Sequence, residues 1–154
     1  MNTDALRNNY QALVDAATAG GFGPPPVDEW SAEQIIAHLT ANDDLLAATT
    51  TDVLAGRPTS YDNAFAIDTD RLSALVDECG GRDGVIERLR KSSTRLVELA
   101  EQIDEDLGST MLHVHILDGT NVQVDQPLPI AALFGAQALV HLPAHLKQLE
   151  SLLP

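Results

Sequence analysis

The stretch 138–153, ALVHLPAHLKQLESLL, decides how this chain is read. His141 and His145 stand four residues apart in a leucine-rich run, with Pro143 between them. Four residues is slightly more than one turn of helix, so both imidazoles project from the same face. At about 100° per residue, Phe134, Ala138, Leu142, Leu149 and Leu152 form the apolar stripe of this helix. Both histidines fall within that stripe. They are either half of a metal site or two polar residues on a packed face.

A second histidine-bearing segment lies upstream, in WSAEQIIAHLTANDDLLAATTTDVLAG at 30–56. Ser31 is the N-cap and Gln34 completes a capping box, while Gly56 and Pro58 end the helix. Ile35, Leu39, Leu45, Leu46 and Val53 cluster on one side. His38 lies on that side with Asn42 one turn further along, and Glu33, Asp43 and Asp44 are expected to face away from it. So three of the five histidines in the chain are placed toward the interior. A buried imidazole has two ring nitrogens to satisfy, and its charged form is costly to desolvate. Three that converge across two helices would give facial nitrogen ligation with open positions, a donor set suited to Zn²⁺, Ni²⁺ or Fe²⁺.

Around these two segments the pattern is mostly helical. TDALRNNYQALVDAATA (3–19) carries Leu6, Tyr10, Leu13, Val14 and Ala17 at helical spacing, with Thr3 or Asp4 as N-cap and Gly20-Gly21 as the stop. GGFGPPPVDEW (20–30) is an extended loop, fixed by its three prolines. RPTSYDNAFAIDTD (57–70) reads as a loop, with Asp68 or Thr69 capping a helix over RLSALVDEC (71–79). After GGRDG, the segment 85–108 reads as one amphipathic helix through Val85, Ile86, Leu89, Leu96, Leu99 and Ile103. Its acidic end, EQIDEDLG, is solvated, although negative charge at a helix C-terminus is unfavourable. TMLHVHILDGTNVQVDQPLP (110–129) then alternates about Asp118-Gly119, a hairpin signal because such turns need positive φ. His113 and His115 share one face of that hairpin, expected to be exposed. The expected architecture is an all-α bundle in a single domain, 1–154, with a small β-hairpin before the last helix.

Composition narrows the partners. With 23 acidic residues against 9 Lys and Arg, the formal charge is −14. That excludes the basic footprint of a nucleic-acid binder and disfavours an anionic membrane surface. No run approaches the ~20 apolar residues of a membrane span, and MNTDALRNNYQ lacks a signal layout. Cys79 is the only cysteine, so no intrachain disulfide forms, and a cytoplasmic location is the default expectation. Beside Gly80-Gly81, Cys79 reads as structural.

The motif W-S-A-E-Q-I-I-A-H-L, with His38 eight residues after Trp30, is followed about 100 residues later by H-x-x-x-H-L-x-Q-L. Together they resemble the DinB/YfiT-like superfamily of small metalloenzymes. The resemblance implies a four-helix bundle in up-down-down-up order and a homodimer. It also implies a divalent metal, zinc or nickel, held by His38, His141 and His145. A related branch, similar to the mycothiol-dependent maleylpyruvate isomerase family, has the same tryptophan but a glutamate in place of His141. It suggests thiol-dependent S-transferase or isomerase chemistry on a small-molecule substrate, with a low-molecular-weight thiol as co-substrate. Asn42, one turn from His38, is the candidate substrate contact.

Pro143 departs from the family pattern. A mid-helix proline costs about 3 kcal/mol unless the helix kinks. A kink could splay His141 from His145, or free the carbonyl of Leu139 to orient a histidine ring. The alternative function is a non-catalytic helical domain that binds a small ligand or a protein, its histidines hydrogen-bonded in a degenerate metal site.

Overall fold

In the computed structural model, which describes residues 1–154, the capping box forms as the sequence requires. The Gln34 N–H donates to Ser31 Oγ at 3.2 Å, and the Ser31 N–H donates to Gln34 Oε1 at 2.9 Å. These bonds start α2 (Ala32–Leu54), the central helix. The first helix, α1 (Asp4–Ala19), buries Leu6, Tyr10, Leu13, Val14 and Ala17, the five positions its spacing selects.

Unlike α1, α2 is buried on nearly every side. Ile36, Ala37, Thr40, Asn42, Asp43 and Thr50 are covered along with the expected stripe. The reason lies in its neighbours. It packs against α3 (Thr69–Glu78), α4 (Arg82–Glu101) and the strand β1 (Ser60–Asp62). A helix with partners all round has no solvent face to give Asp43, which is fully buried. The expectation that Asp43 faces away is therefore overturned, while Asp44 reaches the surface and pairs with Arg88.

The segment 85–108 is not one helix. α4 ends at Glu101, and a short turn, α5 (Glu105–Gly108), begins afresh behind Asp104, whose carboxylate accepts from the Leu107 N–H at 2.9 Å. Asp104, Glu105 and Asp106 thus lie at a helix N-terminus, where negative charge is favourable, and only Glu101 stands at the C-terminus of α4.

The hairpin of β2 (Met111–Asp118) and β3 (Asn121–Pro129) is present, with Gly119 and Thr120 as its two turn residues. Only Gly119 has positive φ, at 58°, so glycine is required at the first turn position alone. β1 adds a third strand, parallel to β2, with Tyr61 opposite Val114 and Asp62 opposite His115. Residues 60–62, read as loop from sequence, are thus recruited by a ladder that only the tertiary fold supplies. The protein is mostly helical with a three-stranded sheet, not all-α. Leu112 and Val114 turn inward to a continuous core that also includes Leu13, Ile35, Leu89, Leu96, Leu142 and Leu149. No helix is long and apolar enough to cross a membrane.

The last helical segment explains Pro143. It comprises α6 (Ile130–Ala136), a π-helical stretch (Gln137–His141) and α7 (Leu142–Ser151), with αR backbone at both junctions. Its inward residues repeat strictly by four: Leu133, Gln137, His141, His145, Leu149. On an ordinary α-helix each step of four overshoots a full turn by about 40°, so five positions would fan around the helix. A π-turn takes in one extra residue and cancels part of that drift. The Leu142 N–H donates to Gln137 O, five residues back. In the same register Pro143 would serve the carbonyl of Ala138, but it has no N–H to give. Asn9 of α1 supplies the donor, its Nδ2 lying 2.7 Å from Ala138 O.

Replacing Asn9 by alanine leaves that carbonyl without its donor. The variant is expected to lose about 1–2 kcal/mol of stability in urea denaturation. A midpoint equal to wild type would show that the proline gap needs no partner.

Candidate metal centre

His38 enters from α2, and His141 and His145 from the last helix. His141 meets both other rings edge to face, with centroids 5.0 Å from His38 and 4.5 Å from His145, and the His38 and His145 rings are tilted to one another at 4.6 Å. One ring nitrogen from each can be chosen so that all three lie within 4.8 Å of one another. Pro143 does not splay the pair, because the π-turn upstream has already made room for its ring.

Two of the rings are oriented by what their other nitrogen touches. His38 Nδ1 lies 2.6 Å from the carbonyl of Ala66, within the 3₁₀ turn Ala64–Ile67 that follows β1. A carbonyl only accepts, so Nδ1 carries the proton and Nε2 presents its lone pair. His145 Nδ1 lies 2.8 Å from Gln148 Oε1, one turn along the same helix. Trp30 packs on the His38 ring at 4.9 Å and anchors its indole N–H on Thr69 Oγ1 at 3.2 Å. The spacing between Trp30 and His38 is therefore a contact across the helix start. His141 differs from the other two: its Nε2 lies 2.8 Å from His38 Nε2, and its Nδ1 is buried without a partner in the protein.

Burial sets the charge of the cluster. Desolvation, reinforced by His145, pushes His38 down to about 3. Desolvation and both neighbouring rings push His141 down to about 2, and burial also lowers His145. All three are neutral near pH 7, the state a metal requires of imidazole. Zinc bonds of about 2.0–2.1 Å in tetrahedral array put ligand nitrogens about 3.3 Å apart. The His38–His141 pair must therefore open by about half an ångström from 2.8 Å to share an ion. Rotation of two side chains covers that. The donor set fits a divalent transition metal, and it contains no cysteine or carboxylate.

One turn along α2 lies a buried polar network. Asp43 accepts from Tyr10 and, at 2.8 Å, from Ser92. Gln137 Nε2 donates to Tyr10 Oη at 3.0 Å. Asn42 Nδ2 donates to Gln137 Oε1 at 2.9 Å, and Tyr61 donates to Asn42 Oδ1. Both functional atoms of the Asn42 side chain are thus engaged within the protein. Burial raises Asp43 to about 7. The network fixes Gln137, the first residue of the π-turn that ends at His141. Between it and the sheet is a cavity of about 80 Å³, to which Asn42, Leu46, Tyr61, Ile116, Ala136 and His141 contribute.

His113 and His115 are not part of the cluster. They lie on the outer face of β2, His113 beside Asp125 at 2.6 Å and His115 beside Asp62 at 3.0 Å. Sequence reasoning missed Ala66, Gln148 and Asp43. Gln148 could have been found, three residues after His145. Ala66 acts through its backbone, and Asp43 carried a surface-facing signal.

No family model matches the chain, and no curated protein matches it. The solved structure of mycothiol-dependent maleylpyruvate isomerase superposes with a TM-score of 0.71 at 14% identity, covering 94% of this chain and 57% of that one. A histidine-to-alanine mutant of that isomerase gives 0.64 at 13% identity, covering 90% of this chain and again 57% of its own. This chain therefore spans little more than half the length of those proteins, and the likeness is one of fold.

The burial predicts two opposed pH dependences in the metal-free protein. His38 and His141 hold folded values of about 3 and about 2, far below their ordinary 6.5, and burial also lowers His145, so the unfolded chain binds more protons between about 3 and 6.5. Their contribution is lost as pH falls through that window, at about 1.4 kcal/mol per unit for each of His38 and His141. Asp43 is raised from 3.8 to about 7, so its contribution is lost as pH rises through that range. Two strongly lowered histidines, with His145 acting in the same direction, outweigh one carboxyl, and urea midpoints should climb from about pH 4.5 to 6.5. With all three histidines replaced by leucine, the slope should change sign. A flat wild-type profile would contradict the assignment of neutral buried imidazoles.

Proposed function

We propose that this chain is a divalent-metal-dependent enzyme of the DinB-like type, a thiol-dependent S-transferase or isomerase with zinc or nickel held by His38, His141 and His145. The observation that carries this reading is the convergence of three neutral imidazoles, two of them oriented through Nδ1 so that Nε2 is free to ligate. Ligating histidines are normally fixed in this way. The four long helical segments are read as that family's up-down-down-up bundle, and a homodimer comes with the same reading. The fold shared with a mycothiol-dependent isomerase supports thiol chemistry at the level of analogy.

A divalent ion so held would supply a Lewis acid and lower the pKa of a coordinated thiol or water. The chain's own residues supply the rest. Ala66 and Gln148 hold two rings in the ligating tautomer, and Trp30 covers the His38 face. Cys79 is not among the clustered residues, so the thiol comes from a low-molecular-weight co-substrate. Asn42, in the wall of the cavity beside His141, bounds the space for a small-molecule substrate.

One observation favours the alternative, a non-catalytic ligand-binding domain. His38 and His141 already hydrogen-bond each other at 2.8 Å, so the cluster is partly satisfied without a metal.

Trp30 separates the two readings because it is the sole tryptophan and packs on His38. Titration of metal-free, untagged protein with Ni²⁺ should quench its fluorescence with saturation near one ion per chain, and the quench should vanish in His145→Ala. Nickel-loaded protein should then consume a low-molecular-weight thiol in the presence of a small electrophile, and His38→Ala should reduce the rate at least about a hundredfold. Tight metal binding without thiol turnover would leave a metal-binding module. Absence of saturable quenching would favour the ligand-binding domain.

A further inference from the structure

We infer that the outer face of the last helical segment, from Ala131 to Lys147, is the contact surface for a second copy of this chain, packed antiparallel about Gly135 and Ala136. The inference gives the homodimer of the reading above a surface, and it needs no bound metal.

Residues 126–146 contain no Asp, Glu, Lys or Arg, in a chain with 23 acidic and 9 basic residues. For the buried side of a helix that is ordinary, but the side in water is normally charged or polar. The inward positions Leu133, Gln137, His141 and His145 recur by four, so Ala131, Gly135, Leu139, Pro143 and Lys147 form the opposite stripe. Ala132, Ala136 and Val140 flank it. Leu139 and Val140 are 68% and 66% exposed, side by side. Gly135 is the more telling residue. A glycine inside a helix costs about 0.5–1 kcal/mol against alanine. Its φ is not positive, and a Cβ there would meet no neighbouring element within 4 Å. Nothing in its own chain requires a glycine at that position, whereas a helix crossing closely from outside does.

The face is complementary to itself. Its two large side chains, Leu139 and Val140, stand one turn to one side of Gly135 and Ala136, and the small Ala131 and Ala132 stand one turn to the other. A two-fold axis between Gly135 and Ala136 sets Leu139 of each copy on the partner's Ala132 and Val140 on the partner's Ala131. An isologous contact pairs residues in this reciprocal way. The receiving end is hollow: Ala131 borders an open groove of about 560 Å³ with Met1, Gly108 and Pro129. Charge fits the same arrangement. Asp104 and Glu105 rim that groove, and Lys147 lies two turns beyond Leu139 on the same stripe. None of the three has an ion-pair partner in its own chain. Antiparallel packing carries each Lys147 past the partner's Ala131, toward the acidic rim. A chain of formal charge −14 repels its copies, so a contact between them belongs on a face free of carboxylates. An unrelated protein would match one end of the face, and a second copy matches both.

The test is sedimentation equilibrium of the full, untagged chain, metal-free and after zinc loading. The expected mass is twice 16.5 kDa in both states. Leu139→Glu and Gly135→Leu should each raise the dimer Kd at least about a hundredfold. Both positions are open in the single chain, so far-UV circular dichroism and zinc content should stay at wild-type values. In a Cys79→Ser background, Ala136→Cys should form an interchain disulfide on mild oxidation, and Thr94→Cys, exposed on α4, should not. A wild-type chain that stays monomeric at roughly 0.1 mM would overturn the inference and leave the metal reading standing. A dimer untouched by both substitutions, or one in which Ala136→Cys forms no disulfide, would overturn it as well. A dimer that behaves as expected but takes up no zinc would support the surface and overturn the metal reading alone.

Discussion

Three imidazoles held neutral against one another are the constraint around which this molecule is organised. Each has lost most of its water, so none can carry charge near pH 7 without a large desolvation cost. A neutral imidazole still has one donor and one acceptor to place. The fold meets that demand unevenly. Ala66, delivered by the turn after β1, fixes His38, and Gln148 fixes His145 from one helical turn away. His141 is tied only to His38, through the nitrogen a metal would take. The cluster is therefore well oriented but unfinished, as expected of a site completed by something outside the chain.

The last helix is shaped to serve that cluster. A strict four-residue repeat cannot stay on one face of a regular α-helix, and the π-turn restores the alignment where His141 must reach His38. The same irregularity accommodates Pro143, whose missing N–H would otherwise leave Ala138 O unpaired in the core. Gln137 then ties the start of the turn to Asn42, Tyr10 and Asp43. Buried polar networks of this kind are unforgiving: with every member satisfied they specify one arrangement, and with one member lost they destabilise it. Here the arrangement specified is the phase of His141.

Much of this was legible in the residues. The helical stripes of α1 and of Val85–Ile103 name their own buried positions, and Ser31 with Gln34 declares the start of α2. The spacing of His38, His141 and His145 on apolar faces pointed to the three that the fold brings together. What was hidden depended on partners distant in sequence. Residues 60–62 become a strand only because β2 lies beside them. Asp43 is drawn inward because α4 covers the side of α2 that amphipathic analysis assigns to water. The Asp104 cap splits a helix whose apolar rhythm runs on past it. Pro143 invited the expectation of a kink, and the compensating donor, Asn9, lies 129 residues from the carbonyl it serves.

The most direct test of the central claim is elemental analysis of untagged protein, wild type beside His38→Ala, His141→Ala and His145→Ala. The account predicts close to one zinc or nickel per wild-type chain after loading, and loss of that metal from each folded variant. Metal-free wild-type protein after exposure to either ion would contradict it, and would show that the three imidazoles satisfy one another and hold no ion.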